Sequence, residues 1–431
     1  MHNQSSRGPR ALTLALGLAA VIAVPANAQQ LKLWEISSTN EGVNQNWENV
    51  IAQFEAEHPG VEVVMETFDT EAFKQGLAVA LTSTSGPDIF FNWGSEDSAV
   101  LARNGLAADV TDMGEGRWLD KINAGLLAPF SVEGRAYGVP SHSIAKYMYY
   151  NTAFYEENGL TFPTTTDELL AMCKTVREID PEVAFTSLGN RDQWKGIHYV
   201  SMLTAEYVGV DAMLADMRLQ NSDDAMFTDP GYTKALAMMR TMEEEGCFQQ
   251  GVNVTTADMS RTIFASGLAT SIYCGTWCPG TFDSEGLEGG YSMAPFPAVS
   301  DAPEENHGYI LGLTEGFQIS AQSQHKELAA DFIDLILSDA VQAERLVLAG
   351  RIPVNGAGVG AVSDEVHPAI QHVVADLPNY KGFAPILDVD LDGRIVEVYK
   401  RGIQDVIDGR VTPEELMAKV RAEALAVKSE R

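Results

Sequence analysis

The sequence predicts an α/β protein built as two lobes. Three observations carry this. From residue 31 onward the apolar pattern runs strand, helix, strand, helix, strand. The chain is longer than a single hydrophobic core usually supports. Three stretches set proline beside extended residues and read as stiff connectors where the chain could cross between lobes. They are Val139-Pro140-Ser141, Ala294-Pro295-Phe296-Pro297 and Gly350-Arg351-Ile352-Pro353.

Each element has a local reason. Leu31 and Leu33 alternate with polar neighbours in a strand that ends at Trp34-Glu35. Trp47, Val50, Ile51 and Phe54 form one helical face, which stops at His58-Pro59-Gly60. Val61, Val63 and Met65 make a second strand, and a second helix covers roughly Glu71 to Leu81. Gly86-Pro87 then turns into the continuous apolar strand Asp88–Phe91, which suits a parallel sheet covered on both faces. Tyr147–Asn151 is an aromatic strand. Thr165 and Glu168 have capping-box spacing ahead of a helix with Leu169, Met172, Cys173 and Val176 on one face. Asp229-Pro230 opens the helix Tyr232–Glu245. Leu328, Phe332 and Leu335 point the helix Lys326–Leu337 inward. Thr412-Pro413-Glu414-Glu415 starts the last helix.

The chain begins with an export pattern. Arg7 and Arg10 precede the apolar run Ala11–Val24, and Pro25 and Ala26-Asn27-Ala28 follow, so residues 1–28 are expected to be a signal peptide cut after Ala28. No later segment reads as a membrane span. The net charge of −31 repels phosphate backbones and anionic lipid, which argues against nucleic-acid and membrane-surface partners. Hydrophobic content of 45% is that of a globular chain. Cys173, Cys247, Cys274 and Cys278 suit one or two disulfides in an oxidising compartment, with the pairing open. Cys274-Gly-Thr-Trp-Cys278 has neither redox nor zinc spacing.

A series of motifs in order resembles the extracellular sugar-binding proteins of ABC importers, the group that includes maltodextrin-binding protein. The series opens with Trp34 and Phe54-x-x-x-His58-Pro59-Gly60-Val61-x-Val63, then Ser85-Gly86-Pro87-Asp88-Ile89. Tyr137-Gly138-Val139-Pro140 with Tyr149-Tyr150-Asn151 follows, then Gly159-Leu160 and Pro163 to Leu169. Phe264-Ala265-Ser266-Gly267, Gly275-Thr276-Trp277, Pro295-Phe296-Pro297 and Lys326–Ala329 complete it. The resemblance implies a two-lobed periplasmic-binding-protein fold of type II, each lobe a mixed sheet flanked by helices, joined by a multi-strand hinge. Lobe 1 would take 29–140 plus about 298–348, and lobe 2 would take 141–297 plus about 349–431.

A sugar offers in-plane hydroxyls and apolar C–H faces, so its site needs charged or amide groups and aromatic rings. By resemblance the ligand-binding residues are Glu35, Trp93, Asp97, His142, Trp194, Trp277, Gly312, Arg351 and Asp390. Trp194 and Trp277 are expected to stack, and Gly312 to let the ligand approach bare backbone. Asp388, Asp390 and Asp392, followed by Gly393, resemble the start of a calcium loop. Tyr399 stands where that loop needs a bidentate Glu, and the competing reading is a turn that caps the helix Ile395–Val406. Gly356-x-Gly358-x-x-Ala361 matches a dinucleotide fingerprint formally but lacks its βαβ setting.

The expected function is capture of a carbohydrate and delivery to the membrane subunits of an ABC importer by hinge closure. The protein is expected to be a periplasmic monomer, without catalysis and without cofactor. Two alternatives stand beside it. One keeps the fold with a polyol, a polyamine or a glycerophosphodiester as guest. The other is a secreted glycosidase working with two carboxylates.

Overall fold

A computed structural model describes residues 29–355 and 364–431. The export pattern and the Gly356–Ala361 fingerprint lie outside these residues. The strands are β1 Gln29–Ile36, β2 Val61–Phe68, β3 Ile89–Asn92, β4 Ser131–Val132, β5 Arg135–Ala136, β6 Val139–Asn151, β7 Ala184–Ser187, β8 Ala269–Gly275, β9 Tyr291–Ala294, β10 Ile310–Ile319, β11 Ile352–Pro353 and β12 Phe383–Ala384. Strands β4 and β5 form a separate hairpin. The others join in one curled mixed sheet whose main path is β2-β1-β3-β10-β6-β8-β7.

The opening units fold as their patterns dictate. β1 pairs in parallel with β2 and with β3. The helix Glu41–Glu57 between β1 and β2 buries Trp47, Val50 and Phe54. It ends at His58, and Gly60 turns the chain at a φ of 95° that suits glycine. Trp47 lies edge-on to Phe317 and stacks on Phe332, which ties this helix to the later helix Lys326–Ile336. That helix points Ala329, Phe332, Ile333 and Ile336 inward. Leu328 and Leu335, expected inside, flank this face half-buried.

Two strands leave this first core and enter a second. β6 is far longer than its aromatic end suggested. Val139–Ala145 pair with β10, and Lys146–Tyr150 go on to pair with β8. The polar run Ser141-His142-Ser143 hid the first half of β6 in the sequence. β10 does the same in reverse, with Phe317 and Ile319 in the first core and Leu311 in the second. The short β11 pairs with Ser143 and His142 of β6. The passage between cores therefore runs through β6, β10 and β11. In the stretch 294–297, Phe296 lies inside the second core against Tyr199 and Tyr273.

The second core gathers Tyr199, Tyr232, Tyr273, Phe248 and the helix Gly393–Ile407. Cys173 and Cys247 form a disulfide within it, closing a separation of 74 residues, which the chain-entropy account values at about 4 kcal/mol. The second disulfide is Cys274–Cys278, beside Trp277. Thr412 and Glu415 form the full capping box. At Thr165 the box is displaced by one residue: Thr165 takes the Glu168 N–H, but the Glu168 carboxylate accepts from the backbone and hydroxyl of Thr164.

The register of β6 against β10 shifts between Glu315 and Gly316. A Cβ at Gly316 would meet the Val139 carbonyl oxygen at 2.1 Å and Pro140 Cα at 2.8 Å, so the two strands cross this point only with glycine there. Gly316→Ala should cost about 1–3 kcal/mol of stability through overpacking, measured as a lower urea midpoint. An unchanged midpoint would show that this crossing is not tight.

Candidate functional site

A cavity of about 520 Å³ lies between the two cores. From the first core come the turn after β1 (Ile36–Thr39), the helix Thr70–Ala80 with Glu71 and Lys74, and Trp93 just after β3. From the second come Trp194, His198, Arg261, Trp277 and Asp388. The floor is made by the connecting strands through Ile144, Leu313 and Glu315, with Arg351 before β11.

The floor rests on a buried charge hub. Glu315 Oε2 lies 2.7 Å from His142 Nε2 and 3.0 Å from Arg351 Nη1. Ser141 Oγ sits 2.8 Å from His142 Nδ1. The three partners come from β10, β6 and the residue before β11. Burial and the Arg351 charge push the His142 imidazole down to about 3, so its ring is neutral across the physiological range. The Glu315 carboxyl is lowered despite its burial, by His142 and Arg351. Glu35 stands beside this hub and accepts the N–H of Ile36 at 2.9 Å. Burial pushes its carboxyl up to about 7.

Lys74 organises the upper wall. Its Nζ lies 3.2 Å from Asp97 Oδ2, 3.9 Å from Asp388 Oδ2 and 3.2 Å from the Asp388 carbonyl oxygen, and 4.6 Å from the centre of the Trp93 ring. Lys400 Nζ reaches Glu71 Oε1 at 3.0 Å on the same seam. Opposite, His198 Nε2 lies 3.2 Å from Asp388 Oδ1, and Lys146 Nζ lies 2.7 Å from His198 Nδ1. The buried Lys146 ammonium packs among Tyr273, Trp194 and Trp277. Burial pulls it down to about 7, and pulls His198 down to about 4.

Trp194 and Trp277 offer half-buried indole faces with ring centres 6.4 Å apart. The Trp277 ring lies directly on the backbone of Gly275, where a Cβ would come within 1.9 Å of it. Two charged side chains near them are matched locally: Arg261 pairs with Asp258, and Asp192 accepts the Ala257 N–H at 2.8 Å.

Of the residues expected at the ligand, Trp93, Trp194, Trp277 and Arg351 line the cavity. The other five, Glu35, Asp97, His142, Gly312 and Asp390, lie outside the lining. Glu35 points back from a strand whose next residue, Ile36, faces the cavity. Asp97 holds Lys74 from behind. His142 turns to Glu315. At Gly312 a Cβ would meet the Ile144 carbonyl at 2.5 Å and the Phe383 ring at 2.7 Å, so its small size serves strand packing rather than ligand approach. Asp390 accepts the N–H of Ile386 at 2.9 Å.

The calcium-loop reading also falls. Asp388 faces His198 and Lys74, Asp390 caps its own turn, and Asp392 caps the helix Gly393–Ile407. The three carboxylates share no partner. Among the described residues no group of three His, Cys, Asp or Glu could hold a metal ion.

Lys74, Lys146, His198, Arg261 and Glu315 were missed. Lys146 carries a readable signal, a lone charge inside an apolar and aromatic strand. His198 lies four residues after Trp194 on the same helix face. Lys74 reads as an ordinary solvent-facing lysine, and nothing nearby in the sequence marks it.

Two α/β cores joined by three strand segments, with a polar and aromatic cavity between them, define a two-lobed binding protein. The chain belongs to the bacterial extracellular solute-binding proteins, whose family profile matches residues 38–343. It is 22% identical over 421 residues to a binding protein of Brucella abortus, covering 95% of this chain and 97% of the relative. Its fold is similar to a solved structure from work on xylan utilization by the thermophilic bacterium Caldanaerobius polysaccharolyticus. The TM-score is 0.83 at 21% identity, covering 91% of this chain and 99% of that one. It is equally similar to a chitin oligosaccharide binding protein, with a TM-score of 0.83 at 20% identity, covering 93% and 98%. No described helix is long and apolar enough to cross a membrane.

The hub and its neighbour titrate in opposite senses. His142 is depressed, so its contribution is present above the ordinary 6.5 and is lost as pH falls toward 3. Glu35 is raised from 4.5 to about 7, so its contribution is complete below about pH 4.5 and is lost as pH rises through 7. Glu35→Gln should therefore gain on the wild type between about pH 5 and about pH 8, by an amount on the order of 3 kcal/mol. Urea midpoints of both proteins across that range test this, and a constant difference would refute it.

Proposed function

We propose that the protein captures an uncharged carbohydrate in the cavity and hands it, chemically unchanged, to the membrane subunits of an ABC importer. The observation that carries this reading is the meeting of three indoles, Trp93, Trp194 and Trp277, with a wall of charged side chains already matched to one another. Indole faces suit the C–H faces of sugar rings, and charged side chains held in place by partners offer strong hydrogen bonds. The cavity lies in the range of small-ligand sites, about 300–1,000 Å³. Chitin oligosaccharide and xylan in the descriptions of structural relatives support the same guest class.

The matched wall weighs against a glycerophosphodiester or a polyamine. The glycosidase reading needs a protonated carboxyl at the scissile bond. Glu35 and Asp390, whose carboxyls burial pushes upward, stand behind the wall, and the wall carboxyls of Glu315 and Asp388 are held ionised.

The halves are assigned to residues 29–140 with about 317–349, and about 145–311 with 364–431. The hinge lies in β6, β10 and β11. This moves the second boundary from the expected 298 into β10. The ligand bridges both halves and stabilises the closed form by contacts it makes only there. The protein works in the periplasm as a monomer.

A thermal-shift screen of mono-, di- and oligosaccharides should yield a sugar that raises the melting temperature, since a guest bound only by the folded chain stabilises it by mass action. X-ray scattering with that sugar should show compaction. Hydrolysis of the sugar during the assay would overturn the reading. Trp277→Ala should weaken binding by about 1–3 kcal/mol in titration calorimetry, and unchanged affinity would remove that indole from the site.

A further inference from the structure

We propose that Lys74 is the specificity-determining residue that closes the cavity to cationic solutes, by occupying with its own ammonium a cation site assembled from both halves of the molecule. An alkylammonium ion is bound by carboxylates, carbonyl oxygens and an aromatic face at short range. All of these surround Lys74 Nζ. Asp97 Oδ2 and the Asp388 carbonyl oxygen lie at 3.2 Å, Asp388 Oδ2 at 3.9 Å, and the Trp93 ring centre at 4.6 Å. Trp93 and Asp97 belong to the first core side, and Asp388 belongs to the second.

The acceptors have little else. Asp97 Oδ2 and Asp388 Oδ1 are closed to solvent, and among the described residues neither accepts a hydrogen bond of good geometry. Their charges are balanced by the Lys74 ammonium, by the His198 ring beside Asp388 Oδ1, and at longer range by Lys400, which is itself held by Glu71. Removing the ammonium would leave two carboxylates facing an indole across a gap the length of a lysine side chain. That arrangement is a receptor for a primary amine. In the native chain the tethered amine is already in place, at an effective concentration no free solute reaches. A polyamine therefore finds the carboxylates occupied, and the remaining cavity selects a neutral guest. Lys74 also links the two halves, since its ammonium touches acceptors on both.

The inference does not rest on the guest being a sugar, and its test uses amines alone. The exported chain, Lys74→Ala and Lys74→Met are melted with about 20 mM propylamine or putrescine against sodium chloride of equal ionic strength. In Lys74→Ala either amine should raise the melting temperature by about 2 °C or more. In the wild type, where the position is filled and charged, neither amine should shift it. Lys74→Met should also show no shift, because its side chain fills the gap without charge. Adding Asp388→Asn to Lys74→Ala should abolish the response. If Lys74→Ala does not fold alone, refolding yield with and without propylamine becomes the measurement, and amine-dependent recovery supports the assignment. A wild-type response equal to that of Lys74→Ala, or no response in either melting or refolding of Lys74→Ala, overturns it.

Discussion

The contact on which the molecule turns is the grip of one carboxylate, Glu315, on His142 and Arg351. These residues come from the three strand segments that pass between the cores, so one buried interaction fixes their mutual register. The cost of burying such groups is high, and removing one partner of a buried pair typically costs about 3–5 kcal/mol, because the others are left uncompensated. The neutral His142 ring matters here. Burial and the Arg351 charge lower its proton affinity, so it bonds Glu315 without adding a second positive charge beside Arg351. A hub of this kind ties the three strand segments together at one point. That is what a hinge between stiff apolar cores requires.

From that point the polar chemistry spreads along the seam between the cores rather than into them. Glu35 and Arg345 extend it on one side, with the Arg345 guanidinium over the Trp47 ring. Lys74, Asp388, His198 and Lys146 extend it on the other. Nearly every charge on the cavity wall is answered by a neighbour within the chain. The consequence for recognition is a site rich in strong donors and acceptors that are held in place by partners. Such a site suits a guest that carries hydroxyls and no charge. The acidic surface, with a net charge of −31 over the whole chain, is a separate matter of solubility and repulsion.

Much of this was legible in the sequence, and the boundary of what was legible follows from geometry. The opening strand–helix–strand order was readable because Trp47, Val50 and Phe54 repeat at the helical period and Leu31 and Leu33 at the strand period. Trp93, Trp194, Trp277 and Arg351 were placed at the cavity by the family resemblance alone, since an isolated tryptophan or arginine fits a core or a hinge brace as well. Glu35 and His142 lie beside the cavity and outside its lining. A strand shows successive side chains to opposite sides, so Ile36 rather than Glu35 meets the cavity. Gly312 was read as room for a guest when the room is taken by Phe383 and the β6 backbone. β6 was seen only in part, since Ser141-His142-Ser143 carries no apolar alternation. Those residues are polar because of partners 170 positions away, which no local pattern can reveal.

The bridge between Cys274 and Cys278 encloses Trp277, one of the indoles on the cavity wall, and the ring of that tryptophan rests on Gly275 inside the same short loop. A disulfide and part of the cavity wall thus meet in five consecutive residues. Protein produced in a reducing cytosol would carry the same amino acids and four thiols, with this loop untied. Affinity measured on such material would describe an immature receptor, so the compartment of production becomes part of the identity of the sample.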